Sequence, residues 1–105
     1  MTIIETPIFT RRIQVMLSDE EYRLLQAHLV NNPDVGKVIR GSGGMRKLRW
    51  SAKGHGKRGG IRVIYYWSTS KNIILLLFAY SKNEQDDLTK EQLWQLKKII
   101  EREYL

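Results

Sequence analysis

An α+β fold of order β-α-α-β-β-β-α is expected for this chain of 105 residues, on three observations. Apolar residues recur at helical spacing towards both ends of the chain. Between residues 45 and 81 they alternate, or run on, over strand lengths, and glycine-rich or polar turns separate these stretches. The length suffices for one hydrophobic core, so a single domain over residues 1–105 is expected. Its architecture would be a twisted, mainly antiparallel sheet with the helices on one face and the other face partly open.

Residues 2–6 read as a short strand that ends at Thr6-Pro7. Pro7 suits the first helical position with Thr6 as its cap, and Phe9, Arg12, Ile13 and Met16 follow at helical spacing. Ser18 and Glu21 form a capping-box pair that opens a second helix. Its apolar face is Tyr22, Leu25 and Leu29, and Asn31-Asn32-Pro33 ends it. Gly41-Ser42-Gly43-Gly44 is a turn, after which residues 45–51, Ile61–Ser68 and Ile73–Ser81 read as three strands. Residues 52–60 (AKGHGKRGG) are too glycine-rich for helix and too charged for core, and are expected as a loop. Short connections between the three strands favour an antiparallel meander. Thr89 and Gln92 form a second capping pair, with Leu88 placed to pack on Leu93 as a hydrophobic staple. Leu93, Leu96, Ile100 and Tyr104 then make one helical stripe, widened by Ile99.

Composition narrows the function classes. Hydrophobic residues make up 42% and charged residues 28%, which describes a folded domain rather than a disordered one. The absence of cysteine excludes disulfides and thiolate metal sites, and two histidines, His28 and His55, do not build a structural zinc site. No metal and no cofactor are expected. The first fifteen residues include Glu5, Arg11 and Arg12, unlike a signal peptide. The longest apolar run, residues 73–80, has the length of a buried strand rather than a membrane span. A cytoplasmic location without membrane contact is therefore expected.

Charge is segregated along the chain. Residues 35–83 hold eleven of the 18 basic residues and none of the 11 acidic ones, so they carry +11 while the rest of the chain is net −4. Scattered lysine serves solubility alone, but a segregated excess makes a local positive field that concentrates a polyanion, most often nucleic acid.

Strand parity sorts these cations by face. In the first meander strand Leu48 and Trp50 share one face, and Lys47 and Arg49 the other. In the second, Ile61, Val63, Tyr65 and Trp67 alternate with Arg62, Ile64 and Tyr66. With the Leu48 face packed on helices, Lys47 and Arg49 project from the open side, where Arg62 joins them across the ladder. The loop adds Lys53, His55, Lys57 and Arg58, and Lys82 closes the third strand.

Such a cluster fits RNA cleavage. Attack of a 2′-hydroxyl on the adjacent phosphate needs a base, stabilisation of the phosphorane and protonation of the 5′-oxygen. The arginine fork matches two phosphate oxygens. Lysine is a poor base near its ordinary pKa of about 10.4, which neighbouring cations depress. Charge and parity alone leave open whether these residues cut RNA or only grip its phosphates.

Other features have plainer readings. His55 can approach RNA or remain solvated, and His28 lies beside core positions as a structural residue. The glycine clusters lack the P-loop spacing, and no ribonucleoprotein motif accompanies the aromatic strands. Trp50, Trp67, Tyr65 and Leu75 read as core, whereas Trp94 lies beside its helical stripe and could cover core or contact a partner.

Three segments, G-S-G-G-M-R-K-L-R-W (41–50), G-K-R-G-G-I-R-V-I-Y-Y (56–66) and Y-S-K-N-E-Q-D-D-L (80–88), occur in this order, with Leu-Ser-Asp-Glu-Glu-Tyr (17–22) ahead of them. Together they resemble the toxins of the RelE/ParE superfamily, closest to its HigB-type branch, over nearly the whole chain. The resemblance implies a RelE-like microbial RNase fold without a metal, and a type II toxin–antitoxin toxin that enters the ribosomal A site and cuts bound mRNA. It implies a cognate antitoxin with a helix-turn-helix domain, through which alone the complex would reach DNA.

Carried over by motif, Lys47 and Arg49 match the basic residues of the first meander strand, and Arg62 the phosphate-stabilising arginine of the next. Lys82 and Asn83 fall on a Lys-Arg pair whose arginine is asparagine here, and Thr89, read as a helix cap, falls near the family's C-terminal tyrosine. These departures leave the general acid and base unassigned. Lys47, Arg49, Arg62 and Lys82 form the expected catalytic set. Arg46, Lys53, His55, Lys57, Arg58 and Asn83 are expected RNA contacts, and Tyr80 and Glu84 secondary catalytic candidates. Two alternatives share the resemblance. A ParE-type gyrase-inhibiting toxin would damage DNA without cutting message, and the dense basic set argues against it. A non-catalytic RNA- or ribosome-binding module would bind ribosomes without cleavage, in keeping with Asn83 and Thr89.

Overall fold

Capping chemistry starts each helix where the sequence places it. The computed structural model describes residues 1–51 and 60–103. After strand β1 (Thr2–Glu5), the Thr6 hydroxyl accepts the Phe9 N–H at 3.1 Å and donates to the Leu77 carbonyl at 2.8 Å. One side chain thus opens helix α1 (Pro7–Met16) and ties it to the sheet. Ser18 and Glu21 exchange reciprocal bonds, both 3.1 Å, at the start of helix α2 (Asp19–Asn31). Thr89 and Gln92 do the same at 3.0 Å ahead of helix α3 (Lys90–Glu103). Satisfying these free N–H groups stabilises each helix by about 1 kcal/mol.

The strands β2 (Lys37–Val38), β3 (Arg46–Trp50), β4 (Ile61–Ser68) and β5 (Ile73–Ser81) join β1 in one sheet of order β1-β5-β4-β3-β2. β1 runs parallel to β5, and every other pair is antiparallel. The three-strand meander is as expected, while β2 is an addition to it. A two-residue strand is too short to show a period, and a local constraint positions it. The Tyr65 hydroxyl accepts the Gly36 N–H and donates to the Pro33 carbonyl, both at 2.8 Å. A Cβ on Gly36 would lie 2.8 Å from the Tyr65 ring. Gly36→Ala is therefore expected to cost about 1–3 kcal/mol through overpacking. Urea denaturation measures this, and an unchanged midpoint would contradict the role given to Gly36.

Two apolar clusters sandwich the sheet. Phe9 and Ile13 of α1 and Leu25 and Leu29 of α2 pack on Leu48, Val63, Tyr65 and Leu76. Leu96 and Ile100 of α3 pack on Met45, Ile64, Leu75 and Leu77. These strand residues alternate along β4, so α3 covers the face opposite α1 and α2. The α+β class stands, but the placing of all helices on one face is corrected. β4 and β5 are buried at nearly every position, and strands apolar on both faces need cover on both. The α3 stripe supplies the second cover, with Leu88 and Leu93 packed against it. Tyr104 of that stripe lies outside the described residues.

One irregularity shapes the end of β5. Ile64 pairs with Phe78 and Tyr65 with Leu76, leaving Leu77 without a partner on β4. This bulge reverses the facing of the residues after it.

Candidate RNA-cleaving site

The part of the second sheet face beyond α3 holds a cleft of about 490 Å³, lined by Val35, Lys37, Lys47, Leu48, Arg49, Arg62, Lys82 and Asp86. That volume lies within the range of small-ligand sites, about 300–1,000 Å³. The strands explain who meets there. Arg49 lies directly opposite Arg62 in the β3–β4 ladder, and Arg62 opposite Tyr80 in the β4–β5 ladder. Lys37 of β2 lies opposite Lys47. Residues opposed in an antiparallel pair have Cβ atoms about 4.5–5.5 Å apart, and like charges so placed repel. Among the described residues neither Arg49 nor Arg62 has a carboxylate partner. The cleft thus gathers five cations around one lining carboxylate, Asp86, and carries a local positive field.

The cations differ in freedom. Arg62 is 7% exposed, and one of its nitrogens reaches the Ile61 carbonyl at 3.5 Å, so its fork is held by packing. Arg49 and Lys82 are exposed. Lys47 pairs with Asp87 at 3.2 Å, and Asp87 also accepts the Leu88 N–H at 2.9 Å. Partial burial pushes the Asp87 carboxyl upward. The Leu88 N–H and Lys47 outweigh it and hold the group below the usual carboxylate range. Tyr80 is fully buried, with its hydroxyl 3.5 Å from the same Asp87 oxygen. Burial, and then the Asp87 charge, push this phenol up to about 12 against the opposing effect of Arg62. Tyr80 thus lies beside the cleft without surface to offer a substrate.

Lys47, Arg49, Arg62 and Lys82 all line the cleft. Arg46 does not: its parity matches Leu48, and its guanidinium donates to the carbonyls of Asp34 and Gly36 at 3.1 and 2.8 Å. In this structure it braces the chain entering β2. Glu84 also stands apart from the cleft lining. It pairs with Arg12 of α1 and accepts the Ser81 N–H at 2.9 Å, and the Arg12 bond holds its carboxyl below the usual range. Arg12 is itself fixed over the Phe78 ring, 4.9 Å away. Asn83 is exposed and does not line the cleft. Lys53, His55, Lys57 and Arg58 lie outside the described residues. His28 packs against Trp50 with ring centroids 5.5 Å apart and planes tilted by 42°. Trp94 is half exposed beneath the Lys98 ammonium.

The family model described as the RelE toxin of the RelE / RelB toxin-antitoxin system matches residues 1–104. The chain belongs to the RelE toxin family. Among solved structures, a doubly substituted mutant of the E. coli toxin RelE in the free state is similar over 97% of this chain and 96% of that one. The TM-score is 0.61 at 10% identity, a likeness of fold.

In this RelE-family chain three residues of the site escaped the sequence reading: Lys37, Asp86 and Asp87. Lys37 belonged to the basic stretch but to no visible strand. Asp86 and Asp87 sit just beyond that stretch, and only the turn after β5 folds them back on to it. Among the described residues no group of three or more His, Cys, Asp or Glu side chains is placed to hold a metal ion, and no helix is long and apolar enough to cross a membrane.

Proposed function

We propose that this RelE-family chain is a ribosome-dependent mRNA endonuclease. The supporting observation is the convergence of Lys47, Arg49, Arg62 and Lys82 in one cleft. The 2′-hydroxyl of one nucleotide gives up its proton as its oxygen bonds to the neighbouring phosphorus, the bond from phosphorus to the 5′-oxygen breaks, and that oxygen takes up a proton, leaving a cyclic phosphate and a free 5′-hydroxyl. Arg62 and Arg49, opposed across the ladder, face the charge that develops on the phosphorane, where fixed donors act most strongly. Lys47 and Lys82 grip the scissile and flanking phosphates. Asn83, Lys53, His55, Lys57 and Arg58 are further RNA contacts in this reading. The chemistry needs no metal ion, since the cations of the chain take its place.

The cytoplasm is the setting of this activity. The partner is a cognate antitoxin with a helix-turn-helix domain, so DNA is met only through that partner. Pulse expression in a translating extract followed by primer extension tests the reading. Discrete new 5′ ends within message on ribosomes are expected. Intact message would overturn it, and tight ribosome binding with intact message would mark a binding module instead.

A further inference from the structure

A carboxylate at the edge of a cation-lined cleft needs a reason, because it opposes the binding of RNA. Asp87 has three partners there. Its Oδ1 accepts from Lys47 Nζ at 3.2 Å and the Leu88 N–H at 2.9 Å, and lies 3.5 Å from the Tyr80 hydroxyl. The partners differ in mobility. Tyr80 is fully buried in β5, in register with Arg62, and the Leu88 N–H is backbone one residue away. Lys47 is a long side chain on β3, with four rotatable bonds and 30% of its surface exposed. Two fixed donors hold the carboxylate, and the carboxylate holds the ammonium.

We infer that Asp87 is a positioning residue for Lys47, anchored by Tyr80 and the Leu88 backbone, and that it directs the ammonium at the scissile phosphate. This inference rests on the RNA-cleaving reading of the cleft. It gives Tyr80 a place that its burial otherwise denies, acting through Asp87 rather than on substrate. It also makes Lys47 a cationic donor to phosphate oxygen, while Asp87 remains charged throughout the neutral range. The side chain of Asp87 is 68% exposed, so an exposed surface pair of this kind contributes little to stability. Its effect falls on geometry. Freeing Lys47 costs preorganisation, to which misplacement of a reacting group is sensitive.

The test is Asp87→Asn, which keeps the shape and the acceptor for Leu88 but removes the charge. The turnover number for ribosome-bound message is expected to fall about ten-fold or more. Affinity for a non-cleavable 2′-deoxy message analogue is expected to stay level or rise, since a negative charge has left the cleft. A merely structural role would instead weaken binding and lower the melting temperature together. A second readout needs no cleavage: the Lys47 ammonium 1H–15N signal, assigned by Lys47→Arg, should be retained in wild type and broadened away in Asp87→Asn. Asp87→Glu should restore part of the turnover. Full turnover in Asp87→Asn, or an unchanged Lys47 signal, would overturn the inference. Loss of cleavage by the wild type would overturn the RNA-cleaving reading, with the ammonium signal still deciding whether Asp87 holds Lys47.

Discussion

Arg62→Ala is expected to lower ribosome-dependent cleavage by about 100-fold or more, the usual effect of deleting one fixed stabiliser of transition-state charge. The effect should be large because Arg62 is the least free of the cleft cations, 7% exposed and in register between Arg49 and Tyr80. A guanidinium held by packing loses little entropy when phosphate arrives. Arg62→Lys keeps the charge but not the fork, and should recover only part of the rate. The thermal midpoint should not fall in proportion, because removing one of two opposed arginines also relieves their repulsion. Single-turnover cleavage of ribosome-bound message, beside thermal melting, measures both. Wild-type cleavage by Arg62→Ala would remove this residue from the site.

The largest expected effect on stability is that of Phe9→Ala, about 3–5 kcal/mol for a fully buried aromatic. Phe9 is 0% exposed and lies 6.0 Å from the Tyr22 ring, within the cluster that joins α1 and α2 to the sheet. Small domains have total stabilities of about 5–15 kcal/mol, so the variant should be marginal at room temperature. Urea denaturation should show a much lower midpoint with a similar slope. Because Phe9 packs on the face away from the cleft, cleavage per folded molecule should be retained. A loss below about 1 kcal/mol would mean that the cluster repacks around the gap.

Much of this molecule is legible where a local rule acts alone. The caps at Thr6, Ser18 and Thr89 depend on neighbours three residues away, and each forms the bonds its sequence encodes. The split of Lys47 and Arg49 from Leu48 and Trp50 depends only on the two-residue period of β3 and appears unchanged in the structure. What stays hidden depends on distant partners. The apolar run of β5 carries no alternation, so it does not say that α3 must cover one side and α1 with α2 the other. Arg46 adjoins Lys47 in the chain but belongs to the opposite face, where backbone carbonyls engage it. Separation of charge along the chain is likewise not separation in space. The acidic residues after Asn83 read as a flank, yet Asp86 lines the cleft and Asp87 pairs with Lys47.

Leu77, the residue without a partner on β4, gives the end of β5 something like a reading frame. Removing one residue at this point would shorten the strand by only about 3.3 Å. It would turn the bulge into a regular ladder with Phe78 still opposite Ile64, Ala79 opposite Val63 and Tyr80 opposite Arg62, so the sides they show would not change. A deletion here changes the count along the chain and not the pairing across it. Two relatives that differ by one residue in this strand can therefore present different alignment columns to the same point in space. The counterpart of Lys82 or Asn83 in another chain is found by counting across the ladder from Arg62, not along the sequence.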